Sequence, residues 1–211
     1  MLTRKPKKST IKEQVYEIIK EMILTQQYQL GEKINIDTLA ANLNVSNSPI
    51  REALTMLEKQ GLVENIPNAG SRIISFSSTA YREICMSLFT IVSGAYDLCL
   101  HQNTIDKAIE NMKVSLEEQK KLLHSTDMQA VTKSALAFDK SIVLATDNSY
   151  LISIYEQMED VFFLMALHNN QRDDEEHQEN IREHSMILKC IEDNQISDAQ
   201  NWLFKHYNKQ V

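Results

Sequence analysis

Proline and glycine are spread so unevenly along this 211-residue chain that they divide it into two kinds of structure. All three prolines (Pro6, Pro49, Pro67) and three of the four glycines (Gly31, Gly61, Gly70) precede residue 71, and only Gly94 lies beyond. A stretch that long with no proline and a single glycine has to be mostly helix. Polar clusters cut it into six expected helices, over roughly 79–100, 104–123, 127–145, 149–168, 174–193 and 196–209. The breaks are His101-Gln102-Asn103, Ser125-Thr126-Asp127, Asp147-Asn148, Asn169-Asn170-Gln171 and Asp193-Asn194-Gln195. Ser75-Phe76-Ser77-Ser78-Thr79 reads as the junction, with Ser78 or Thr79 capping the next helix. The chain therefore divides into residues 1–76 and 77–211.

The first part carries shorter, punctuated elements. Ile11, Val15, Ile18, Ile19, Met22 and Ile23 form a helical stripe over Ile11–Gln26. Tyr28 to Ile34 reads as a loop bent at Gly31, and Asn35–Leu43 as a short helix followed by the turn Asn44-Val45-Ser46. The next helix can be capped by Ser46 or Ser48, admits Pro49 in its first turn and stops at Gly61. At about 100° per residue Ile50, Ala53, Leu54 and Leu57 share one side, while Asn47, Ser48, Arg51 and Thr55 share the other. A small, polar face with one arginine near the helix start suits a recognition helix in a major groove. Any solvated helix also has a polar face, so the surroundings decide. Two short helices around a turn make a helix-turn-helix. Leu62–Ile66 and Ser71–Phe76, joined by Pro67-Asn68-Ala69-Gly70, make the hairpin that completes a winged helix.

Several spaced motifs now agree in order: Leu30-Gly31-Glu32-Lys33-Ile34, Leu39-Ala40, Val45-Ser46-x-Ser48-Pro49-Ile50-Arg51-Glu52-Ala53-Leu54, Leu57-Glu58-x-x-Gly61-Leu62-Val63 and Pro67-Asn68-x-Gly70. Together they resemble the GntR transcriptional regulators over roughly the first 76 residues. The resemblance implies DNA contacts from Ser46, Asn47, Ser48, Arg51, Thr55, Asn68, Gly70 and Arg72. Three positions depart from the family pattern: Asn47 stands where arginine is frequent, Ala69 replaces a basic or aromatic wing tip, and Asp37 replaces a DNA-contacting arginine of some members. Arg72 is the substitute nearest the wing tip. These changes bear on which operator is read.

The formal net charge of -7 argues at first against nucleic acid. Residues 1–76, however, hold ten Lys/Arg against eight Asp/Glu, so the acidic excess belongs to residues 77–211. Only the first part has a charge balance fit to meet phosphates. Arg4, Lys5, Lys7 and Lys8 are either a solvated tail or a phosphate-contacting arm. Cys85, Cys99 and Cys190 have no metal spacing and fit reduced thiols of a cytoplasmic protein. The basic start lacks the apolar run of a signal peptide, and the uncharged run Ile84–Tyr96 is too short to span a bilayer.

Three ionisable residues of the second part sit on apolar stripes. Asp139 lies among Leu136, Ile142 and Val143; His184 leads Ile187, Leu188 and Ile191; His206 follows Ala199, Trp202 and Leu203. All three should point inward, where an unpaired charge is costly. One such histidine alone would read as a hydrogen-bonded core residue. Two imidazoles and a carboxylate from three helices can instead bind a divalent metal or the carboxylate of a small acid. His168 and His177 flank a polar loop and are expected to face solvent, and Asp173–Glu176 should support a helix start.

Ala137-Phe138-Asp139, Thr146–Leu151, Glu183-His184-x-x-Ile187, Asp198-Ala199 and Leu203-x-x-His206 are similar to the FCD effector domain of one GntR branch, that of the fatty-acid regulator. Metal-binding members supply an Asp and a His four residues apart on the first helix of the site and one His from each of the last two helices. His184 and His206 match the last two, Ala135 stands at the Asp position and Asp139 at the His position. The resemblance thus implies either a divalent metal (Zn, Ni or Mn) held by Asp139, His184 and His206 with effector oxygens, or direct anion binding by the histidines.

The sequence therefore reads as a mainly α protein, a winged helix-turn-helix followed by an all-α helical bundle. The expected function is a cytoplasmic, homodimeric, DNA-binding repressor on a palindromic operator. Its effector would be a small carboxylate, and neither catalytic residues nor a membrane partner are expected. Two alternatives remain: a helical-bundle metallohydrolase with an appended DNA-binding module, and a DNA-binding protein whose helical domain only dimerises.

Overall fold

The computed structural model describes residues 9–169 and 174–208. The basic start Arg4–Lys8, the Asn170-Gln171 break and Asp173 lie outside the described residues. Two compact units, Met1–Ser75 and Phe76–Val211, divide the chain.

The first unit is built on α1 (Ile11–Leu24), α2 (Ile36–Leu43), α3 (Asn47–Lys59), β1 (Val63–Ile66) and β2 (Gly70–Ile73). Thr10 and Glu13 close a capping box at the start of α1. The buried stripe of α1 is Val15, Tyr16, Ile19 and Ile23, whereas Ile11 and Ile18, expected on it, are 61% and 42% exposed. They lie on the edge of the apolar arc farthest from Tyr16 and Ile23. Against it α3 buries Ile50, Ala53, Leu54 and Leu57, the face anticipated from the periodicity. The Tyr16 hydroxyl donates to Gln60 Oε1 at 2.6 Å, pinning α1 to the end of α3. That end is a Schellman stop: Leu62 N–H reaches the Leu57 carbonyl, Gly61 N–H reaches that of Glu58, and Gly61 takes φ +78°.

β1 and β2 pair antiparallel from Val63↔Ile73 to Ile66↔Gly70. β2 ends three residues earlier than the expected Phe76, although Ile74 N–H still bonds the Leu62 carbonyl. The connection carries Pro67 and then Asn68 at φ +64°, with Ala69 N–H bonded to the Ile66 carbonyl, the pattern of a type II turn. The supposed loop 28–34 adds a short third segment beside β2, since Lys33 bridges Arg72 and Ile34 N–H donates to the Ser71 carbonyl.

The second unit comprises α4 (Ser78–Gln102), α5 (Ile105–Leu122), α6 (Met128–Ala145), α7 (Ser149–Asn169), α8 (Asp174–Glu192) and α9 (Ile196–Tyr207). Ser77, not Ser78 or Thr79, caps α4, accepting from Ala80 N–H. The breaks at Asn103, Asp147 and Asn194 work through left-handed backbone, with φ of +56°, +50° and +56°. Asn and Asp reach that region with little penalty, so this half can turn without glycine. α4 is long and apolar enough to cross a membrane by length and composition. Its Leu88, Val92, Ala95, Tyr96 and Cys99 nevertheless form part of the bundle core with Met112, Phe138, Ile142 and Tyr155. α6 packs on α5 and α7, and α8 on α5 and α9. This arrangement brings the inward faces of α6, α8 and α9 to one place.

Candidate functional site

On the winged unit, Ser46 occupies the N-cap of α3 without making a side-chain capping bond. Ser46, Ser48, Arg51 and Thr55 are exposed along the face opposite the buried one. The Thr55 hydroxyl donates to the Arg51 carbonyl at 3.0 Å, and Ser48 Oγ to Glu52 Oε1 at 3.4 Å. Asn47 is half-buried, its Nδ2 donating to Asp37 Oδ1 on α2 at 2.8 Å. Asn68 and Gly70 are exposed in the wing connection. Arg72 is half-buried, with Nη1 donating to the Gly31 carbonyl at 3.2 Å, so part of its fork is spent inside the unit. Lys33, which sequence reasoning passed over, is exposed beside it, and a Cβ on Gly70 would lie 3.5 Å from the Lys33 side chain. Its place in Gly31-Glu32-Lys33-Ile34 was the available signal.

In the helical unit Asp139 (α6), His184 (α8) and His206 (α9) converge. Each offers one donor atom, and the three atoms lie within 4.8 Å of one another. The His184 and His206 Nε2 atoms are 3.3 Å apart, and His206 Nε2 is 3.7 Å from Asp139 Oδ2. Asp139 and His184 are buried, and the His206 side chain is 9% exposed.

Two further residues set the direction of the rings. Gln119 on α5 donates through Nε2 to the Ser134 carbonyl at 3.2 Å, which turns its Oε1 toward His184 Nδ1 at 2.8 Å. His184 Nδ1 must then carry the proton, leaving Nε2 as an acceptor in the neutral ring. Buried Glu183 does the same for His206, with Oε2 3.0 Å from Nδ1. Phe138 stacks on His184 with centroids 4.1 Å apart and planes 11° apart. Two imidazole acceptors and a carboxylate thus face one another. That grouping is electron-rich and fits a divalent cation or a shared proton. Burial works against the Asp139 charge, but with a proton shared between His206 and His184 the pair is positive, outweighs burial and holds the Asp139 pKa below the ordinary carboxylate value. Asp139 Oδ1 is buried and makes no hydrogen bond of ordinary length among the described residues, with the Tyr207 hydroxyl facing the same carboxylate.

The trio borders a cavity of about 120 Å³. Ala135, one turn before Asp139, lines the same cavity, so the position implied for a further ligand carries only a methyl group. His168 is exposed as expected. His177 is not: it is 8% exposed and lines the cavity. It lies seven residues before His184 and so shares its face, which outweighs the acidic neighbours that made it look solvated. Asp174, Glu175 and Glu176 occupy the first turn of α8. All three cysteines are buried and unbridged.

Comparison with known proteins agrees with both halves. Residues 11–73 match the model described as bacterial regulatory proteins, gntR family, and residues 95–209 match that of the FCD domain. The chain is 26% identical to the uncharacterized HTH-type transcriptional regulator YdhC of Bacillus subtilis, covering 92% of this chain and 87% of that protein. It is 23% identical to the gluconate operon transcriptional repressor of Bacillus licheniformis, covering 80% and 70%. The crystal structure of a putative transcriptional regulator GntR from Rhodococcus sp. RHA1 superposes with a TM-score of 0.78 at 13% identity over 94% of both chains.

Proposed function

The chain belongs to the GntR family of DNA-binding transcriptional regulators, with an FCD domain as its helical unit, and from that premise we propose that it is a cytoplasmic, metabolite-responsive repressor. In this reading a homodimer binds a palindromic operator through Ser46, Asn47, Ser48, Arg51, Thr55, Asn68, Gly70 and Arg72. A small organic acid bound at Asp139, His184 and His206 changes operator affinity. One recognition helix supplies too little specific energy, and two-fold pairing on two half-sites doubles it. Repression is the mode named for the gluconate operon relative, whose operon also concerns an organic acid.

The observation that carries the effector reading is the pair of Nε2 acceptors 3.3 Å apart beside a buried carboxylate with an unpartnered oxygen. Asp139, His184 and His206 would hold a divalent ion there, and the ion would supply Lewis-acid coordination for an effector carboxylate. Gln119 and Glu183 orient the two rings, and the small Ala135 leaves space beside them. Effector binding regulates only if it favours one arrangement of the dimer, with coupling of typically ~1–3 kcal/mol. Family membership sets aside the metallohydrolase alternative.

The test is elemental analysis of tag-free wild type and His184→Ala side by side, followed by operator titration with and without carboxylates. Metal and ligand-dependent affinity in the wild type alone support the reading. Unchanged operator affinity with every carboxylate overturns it and favours a helical domain that only dimerises.

A further inference from the structure

Four of the buried side-chain atoms without a hydrogen-bond partner among the described residues, on Thr132, Asp139, His177 and Tyr207, belong to residues that line the cavity beside the trio. Two of them lie away from it. Thr132 precedes Asp139 on α6 by seven residues, and His177 precedes His184 on α8 by seven. Thr132 Oγ1 and His177 Nδ1 are unpartnered, and the residues are only 6% and 8% exposed. A buried polar group without a partner is unfavourable, so a ligand atom that pairs with both would be strongly favoured.

Both helices repeat one pattern toward the cavity. Thr132, Leu136 and Asp139 are spaced i, i+4, i+7, and so are His177, Ile181 and His184, and all six line the cavity. Two polar levels are therefore separated by an apolar one, and seven residues of helix advance about 10 Å. Thr132 and His177 together offer a donor and an acceptor, the complement of a hydroxyl. Glu176 lines the same end, so a second carboxylate there would meet a like charge.

Resting on the effector reading above, we propose that the effector is a hydroxy acid of a particular shape. Its carboxylate sits at Asp139, His184 and His206, a short hydrocarbon segment lies between Leu136 and Ile181, and a hydroxyl at the far end binds Thr132 and His177. Thr132 and His177 are then the residues that select this ligand over the plain fatty acid of equal length.

The test is isothermal titration of the zinc-equilibrated full chain with hexanoate, ω-hydroxyhexanoate and adipate, repeated on Thr132→Val and Thr132→Val/His177→Phe. The expected result is that ω-hydroxyhexanoate binds wild type roughly tenfold tighter than either of the others. The double variant should lose that preference while hexanoate affinity stays put, which also reports that it folds; Thr132→Val alone should lose part of it. Equal affinities in wild type, a preference that survives both substitutions, or adipate as the tightest ligand overturns the proposal and leaves the carboxylate site standing. Binding of none of the three overturns it together with the effector site.

Discussion

Asn47 at the start of α3 and Asp37 on α2 are hydrogen-bonded to each other, Nδ2 to Oδ1 at 2.8 Å. They are also two of the positions at which this chain departs from the pattern of the family it belongs to. The departures are therefore coupled. A carboxylate at a surface meant for phosphates is unfavourable by itself, and here it holds the amide of a residue proposed to contact DNA.

Asp37→Asn should separate the two effects. It removes a negative charge from an exposed position, so binding to scrambled duplex should tighten by about threefold to tenfold at low salt, with the gain fading as salt rises. It also loosens the Asn47 amide, so the preference for a selected operator over scrambled duplex should shrink. Fluorescence anisotropy with both duplexes at two salt concentrations checks this. A preference that grows would mean Asp37 obstructs Asn47.

Arg51 is exposed on the face of α3 opposite Ile50, Ala53, Leu54 and Leu57. Arg51→Ala should cost about 1–3 kcal/mol in operator affinity and leave the thermal melt within a degree or two of wild type. Affinity and salt slope both unchanged from wild type would show that α3 does not enter the groove as proposed.

Glu183 touches no ligand in the proposed arrangement but fixes the His206 ring through Nδ1 at 3.0 Å. Carboxylates that hold a metal-binding imidazole by its other nitrogen typically govern metal affinity by about 10–100-fold. Glu183→Gln keeps the size and one acceptor while removing the charge, so zinc affinity should fall within that range, read by competition with a chromophoric chelator. Indifference to the change would mean that His206 is oriented by packing alone, through its edge contact with Tyr207.

Much of this architecture can be read from residue order. The bundle helices are legible because their interiors hold no proline and only Gly94, and their ends carry Asn or Asp, which the backbone uses at positive φ in Asn103, Asp147 and Asn194. The trio is legible because each member sits at helical spacing from apolar neighbours. What escaped were residues whose burial depends on a partner. Gln119 lies in a run of charged residues and faces inward only because Met112 and Leu116 set the buried face of α5. Glu183 is a carboxylate next to a histidine, and nothing local says that it is buried against another helix. His177 was masked by Asp174–Glu176, although its spacing of seven from His184 was the usable signal. Lys33 joins the wing through its bridge to Arg72, a long-range pairing at which only its place in Gly31–Ile34 hinted.

Ala135 offers the sharpest test of whether the trio is a metal site lacking one ligand. It lines the cavity one turn from Asp139 on the same face of α6, so Ala135→Asp would add a carboxylate beside two imidazole acceptors. Without metal, a second buried negative charge near Asp139 should be destabilising, and the melting temperature should fall below that of wild type. With zinc the added ligand should restore the loss and raise the midpoint above that of zinc-loaded wild type, because tighter binding to the native state stabilises by mass action. The same substitution fills space that the effector carboxylate would use, so ω-hydroxyhexanoate should bind less well even as zinc binds better. Paired melts with zinc and with chelator decide the matter. A midpoint that drops equally in both would mean that no ion enters between Asp139, His184 and His206, and direct carboxylate binding would then require the two rings to take up protons.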